Sequence, residues 1–139
     1  MTRYFLIVFS ITLLANNLLL AQEEKKAHPQ ESVDTAISHA IELLEAKKYK
    51  ELLTAYIPPA DVAKMKEAGQ YELIMQKFGE GGKPAKLLEA LKAAQKVEPE
   101  YNEDKTAVVF KFTKEVDGEQ VEQKPIKFNK TGKLWYIGN

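Results

Sequence analysis

The chain has 139 residues, 20 basic and 20 acidic side chains, no cysteine and 45% hydrophobic residues, the composition of one ordinary globular domain. All the lysines and acids lie after Ala21 and the single arginine, Arg3, before it, so the remainder carries 19 − 20 = −1. A near-neutral chain has no field to gather nucleic acid or anionic lipid, and without arginine only lysine point charges are left for recognising anions.

Arg3 gives a short basic start, Tyr4 to Leu14 is almost wholly apolar, and small Ala21 precedes the polar run Gln22-Glu23-Glu24. This is the layout of a secretory signal peptide over residues 1–21. It implies export to a periplasm or the medium, with about 118 residues left as one domain. With no cysteine, lipoprotein anchoring is excluded and stability rests on the core. The alternative is an uncleaved membrane anchor, against which Asn16 and Asn17 count, since amides are costly in a spanning helix. Residues 22–31 are polar with no apolar period and read as a flexible leader, in which His28 has no expected role.

From Ser32 the pattern becomes helical. Ser32 caps a helix with Asp34 in its first turn, and Val33, Ile37, Ala40, Ile41 and Leu44 form one stripe ending near Lys47. A second helix, about Tyr49 to Tyr56, turns Tyr49, Leu52, Leu53 and Tyr56 inward and is stopped by Pro58-Pro59. A third runs from Pro59 to Ala68 with Val62 and Met65 inward, closed by Gly69. The fourth carries Tyr71, Ile74, Met75 and Phe78 on one face, and Gly79, Gly81 and Gly82 break it. The fifth opens at Pro84, shows Leu87, Leu88, Leu91 and Ala94, and ends before Pro99.

The period then changes to two. Val108, Phe110 and Phe112 alternate with Val109, Lys111 and Thr113, as do Ile126, Phe128, Trp135 and Ile137 with their neighbours, predicting antiparallel strands. Facing residues of a hairpin share one side of the sheet. A two-residue turn at Thr131-Gly132 pairs Phe128 with Trp135 and Ile126 with Ile137, all inward. A two-residue turn at Asp117-Gly118 pairs Phe112 with Gln123 and is disfavoured. A three-residue loop containing Gly118, or a bulge near Pro125, is expected instead.

Motifs for chemistry are weak. His28 and His39 are the only histidines and predict no metal site; His39 lies about 200° from inward Ile37 and is expected in solvent. Glu100, Glu103, Asp104 and Asp117 lack calcium-loop spacing, and Gly79 to Lys83 lacks that of a phosphate loop. Ser38 and His39 are adjacent on a helix and cannot face each other. Asn129-Lys130-Thr131 matches a glycosylation sequon, but a tight turn is a poor acceptor. What remains is aromatic: Tyr49, Tyr56, Phe78 and Trp135 each combine an inward position with a large ring. They either fill the core or wall a cavity between helices and sheet.

The ending Phe128 to Ile137, with its Gly132-Lys133 turn and Trp135 in the final strand, resembles small nuclear-transport-factor-2-like domains. So does the opening, where Ala40 to Tyr49 leads to a second helix and Pro58-Pro59. The mature chain also looks like uncharacterised exported bacterial domains with the Leu87 to Leu91 helix and a Trp-Tyr-Ile ending. The resemblance implies an α+β fold in which N-terminal helices pack on one face of a curved antiparallel sheet, a cone-like roll of the cystatin-like kind. It does not settle function. Isomerases of that superfamily place an acid or a histidine inside the cone, and no carboxylate here falls inward. The expected function is therefore a non-catalytic domain binding a small apolar ligand or a protein partner, with no cofactor, no metal and no nucleic acid. Tyr49, Tyr56, Phe78 and Trp135 are its candidate ligand wall; the alternatives are an isomerase-like enzyme and a membrane-anchored accessory domain. Ala107, Val109, Leu134 and Tyr136 make the outer sheet face apolar enough to suggest a homodimer, or cover by the chain's own leader or a helix.

Overall fold

The computed structural model describes residues 27–138; the expected signal peptide and the start of the leader lie outside them. The expectation of a flexible leader up to Glu31 fails over its last residues. Pro29–Glu31 forms a 3-10 turn capped by His28, whose Nδ1 accepts from the Gln30 N–H at 3.3 Å. Gln30 is only 3% exposed. Its Nε2 donates to the carbonyls of Ala55 at 2.8 Å and Trp135 at 2.9 Å, so a polar residue is anchored by partners distant in sequence.

Helix α1, Val33–Glu45, starts where Ser32 Oγ accepts from the Thr35 N–H. It buries Ala36 and Leu43 as well as the expected stripe, because the 3-10 turn, α2 (Tyr49–Tyr56) and α5 (Lys83–Ala94) all pack on it. Helices α3, Pro59–Glu67, and α4, Tyr71–Phe78, lie between them in sequence. Neither contains a buried residue, and Leu73 is 49% exposed. They form a thin outer layer beside α2.

Helices therefore precede strands, an α+β arrangement with an open antiparallel sheet. Strands β1 (Glu100–Tyr101), β2 (Ala107–Phe110), β5 (Ile126–Thr131) and β6 (Leu134–Gly138) pair in the order β1-β2-β5-β6, while β3 (Thr113–Val116) and β4 (Glu119–Glu122) form a separate ribbon. Strand β1 has two residues, too few to show a period. Val108, Phe110, Ile126, Phe128 and Trp135 are buried against α1, Leu52, Tyr56 and Leu91. Phe110 meets Phe128 edge to face at 6.2 Å.

One hairpin register differs from expectation, and the other carries one of the two expected irregularities. The β5–β6 turn is Gly132-Lys133, pairing Thr131 with Leu134, Lys130 with Trp135 and Phe128 with Ile137. That is two residues from the expected register, a slip that leaves every side chain on its face. Gly132 takes φ 62° with no positive φ at Lys133, the pattern of a type II′ turn. The β3–β4 turn has two residues, Asp117-Gly118, with φ 54° and 84°, pairing Val116 with Glu119, and the Gln123 N–H still donates to the Phe112 carbonyl at 3.0 Å. Phe110 nevertheless pairs with Ile126 and not with Pro125, so one extra residue lies between Gln123 and Ile126. This is the expected bulge near Pro125, the second of the two irregularities, and it returns Phe110 and Ile126 to one face. Beyond it the ribbon is exposed on both faces.

Replacing Gln30 with Ala is expected to lower unfolding free energy by about 2–3 kcal/mol, since one buried and one half-buried carbonyl lose their donor. Urea unfolding of the variant measures it; a change within error would show that the clamp carries no stability.

Candidate functional site

A half-open apolar groove of 430 Å³ lies between α2, the α3–α4 layer and β6. Leu52 and Tyr56 of α2, Met65 of α3, Phe78 of α4, Leu87 of α5 and Ile137 of β6 line it. Pro58, which ends α2, turns the chain so that α3 forms the opposite wall. The groove's charged residues are Asp61 and Lys64, 3.7 Å apart with side chains 40% and 77% exposed, a wet ion pair of small energetic weight.

Of the four aromatic candidates, the structure brings three together. Tyr56 and Phe78 are in the wall; Tyr49 stands behind Phe78, its ring edge-on at 5.8 Å. Gly79 permits that approach, since a Cβ there would stand 3.2 Å from Tyr49 Cδ2. Trp135 is apart from the groove. Its ring is covered by Tyr101, with centroids 6.1 Å apart, and by the Lys130 ammonium at 5.6 Å. Tyr101 and Trp135 belong to the two outer strands of the four-stranded sheet. Rings from opposite edges thus meet edge-on, with Trp135 buried and Tyr101 exposed.

Tyr56 is 2% exposed and donates its only hydroxyl proton to the Ala36 carbonyl at 2.8 Å. His39 Nδ1 lies 3.0 Å from the same oxygen, so Nδ1 carries the proton and donates. In the neutral ring Nε2 is then the unprotonated acceptor. The expectation of a solvated His39 is corrected: it is half-buried. Its neighbours three before and four after, Ala36 and Leu43, are both buried, and including them in the stripe widens the buried arc to reach position 39. Burial pushes the Tyr56 phenol well above the ordinary tyrosine range, and the Glu42 carboxylate adds to the effect.

A second hollow of 630 Å³ adjoins the groove, and Leu87 and Ile137 line both. Ala90, Phe112 and Ile126 continue its apolar wall, with Lys86, Glu89, Lys114 and Lys124 among its lining residues. Sequence patterns placed Met65, Leu87 and Ile137 on inward faces but gave no sign that these positions border open space. Among the described residues no three His, Asp or Glu side chains converge as metal ligands would, and no helix is long and apolar enough to cross a membrane.

The neutral form of Tyr56 is the one the fold favours, so above pH ~10 the unfolded chain gives up a proton that the folded chain keeps. Stability is therefore expected to be intact below that pH and to fall as pH rises beyond it. Tyr56→Phe should remove the part of this slope due to Tyr56 and cost about 1–2 kcal/mol at neutral pH through the lost hydroxyl bonds. Urea midpoints across the alkaline range test this; identical slopes in wild type and variant would refute it. In comparisons with protein-family models, curated proteins and solved structures, none matched this chain.

Proposed function

We propose that this chain is an exported, non-catalytic domain of the nuclear-transport-factor-2-like kind that holds a small apolar ligand in the groove beside Ile137. The observation that carries the reading is the groove itself. Its 430 Å³ lies within the range of small-molecule sites, its wall is apolar and aromatic, and few polar groups border it. The α3–α4 layer supports it too, because helices without a buried residue open at low cost. Met65 in that layer is unbranched and adapts to the shape of a guest.

The groove's own ionisable groups argue for binding over catalysis. Asp61 and Lys64 are wet, and Tyr56 holds its proton on a carbonyl. The isomerase-like alternative rests on His39, whose Nδ1 is fixed by Tyr56 while Nε2 is left as a possible base at a separate cleft lined by His28, Thr54 and Tyr136. A membrane-anchored role requires residues 1–21 to be retained.

A neutral naphthylamine probe is expected to bind the purified protein with a rise in fluorescence. Ile137→Glu, which sets an unpaired charge in the wall, should weaken it at least about tenfold with unchanged circular dichroism. Trp135→Phe should leave it unaltered. No binding by wild type would end this reading, and turnover of an unsaturated ketone that His39→Gln abolishes would favour the enzyme.

Export and pairing are proposed together. On the outer face Val109 and Leu134 flank the polar central strand residues Lys127, Asn129 and Thr131, a striped surface that a second copy could cover. The exported protein is expected to begin at Gln22 and sediment as a dimer, which Val109→Lys with Leu134→Lys converts to monomer. An intact Met1 in the membrane pellet would refute export, and a monomeric wild type would refute pairing.

A further inference from the structure

Resting on the groove reading above, we propose that the ligand is a single-chain anionic amphiphile, a free fatty acid. Its alkyl chain would lie along the groove past Leu87 and Ile137, with its carboxylate at Lys86 and Lys124. The two hollows meet at Leu87 and Ile137 and differ in charge. At the α3 end Asp61 and Lys64 offset each other at 3.7 Å. At the other end Lys86, Lys114, Lys124 and Lys127 share the hollow with the single acid Glu89, a balance of 4 − 1 = +3. Lys114 takes that acid at 2.6 Å, which leaves the Lys86 and Lys124 ammonium groups outside every ion pair found among the described residues.

A cavity with a neutral, apolar length and unpaired cations at one end is complementary to a tail with a monoanionic head. Lys86 is placed for this by helix spacing, since it shares a face of α5 with Ala90 and Ala93, which line the same hollow. Lys124 enters from the segment before β5, beside Pro125. Lys127 also borders this hollow, its Cα on the face shared with Val109, opposite inward Ile126.

Calorimetric titration of the exported protein with octanoate, decanoate, dodecanoate, dodecanol and dodecyltrimethylammonium tests the assignment. Binding of the acids is expected to tighten about fourfold per methylene, with dodecanol about tenfold weaker than dodecanoate, as expected for loss of a charge-assisted contact. Lys86→Gln combined with Lys124→Gln should bring dodecanoate down to the level of the alcohol while leaving the alcohol itself unchanged. Lys133→Gln, in the β5–β6 turn and outside both hollows, should change neither. Equal affinity for acid and alcohol, a double variant that binds like wild type, or tighter binding of the cation would overturn the fatty-acid assignment and leave the apolar groove standing. Failure of all five compounds to bind would overturn both.

Discussion

The side-chain amide of Gln30 joins two carbonyls that no regular element could satisfy. Ala55 lies in the last turn of α2, where helix carbonyls have no partner further along the helix. Trp135 lies on the edge strand β6, in a pair with Lys130 flanking the tight turn; in that position its carbonyl points away from β5. Where the helix end meets the sheet edge, the Trp135 oxygen is buried and the Ala55 oxygen half-buried, and leaving the buried one bare costs a desolvation penalty. One amide with two N–H groups serves both at 2.8 and 2.9 Å. The residues on either side follow from it: the 3-10 turn seals the edge of β6, and α2 is held against that strand.

That clamp also sets the geometry of the groove. With α2 fixed to β6, Leu52 and Tyr56 on one side and Ile137 on the other are held at a constant separation. The opposite wall is built differently. Helices α3 and α4 have half-buried side chains and follow Pro58-Pro59 as a short layer without core residues of their own. The molecule thus has a well-packed half, where α1, α5 and the sheet exclude water, and a half whose local opening exposes no core residue of α3 or α4. Ion pairs such as Lys92–Glu45 and Lys111–Glu100 sit on wet surfaces and add little to this division.

Tyr56 connects the two halves. Its ring is groove wall, and its hydroxyl is tied to the Ala36 carbonyl of α1 and to His39. A phenol so placed keeps its proton, so it holds α2 against α1 without presenting a base to the groove. The chemistry left open to the groove is consequently that of shape, apolar area and the lysines at its far end.

The sequence by itself determined the five helices and their limits, because the three-four spacing and the prolines and glycines at Pro58-Pro59, Gly69, Gly79 to Gly82 and Pro84 act within a turn or two of themselves. It also determined which strand residues face inward, since alternation is a property of each strand alone. The tertiary structure alone decided the β5–β6 register. Sliding β6 by two residues past β5 changes no face, so alternation carries no information about that turn, whereas the one-residue mismatch between Phe110 and Ile126 demanded an irregularity, which the chain supplies as a bulge beside Pro125. Only the folded chain could reveal Gln30 as a core residue, its partners being 25 and 105 positions away. The same holds for the site. Inward rings were visible as inward, but whether a ring borders empty space depends on what the opposite edge contributes. Tyr101 meets the Trp135 ring edge-on at that end of the sheet, whereas Tyr56 is faced across the groove only by the thin α3–α4 layer that carries Met65 and Phe78.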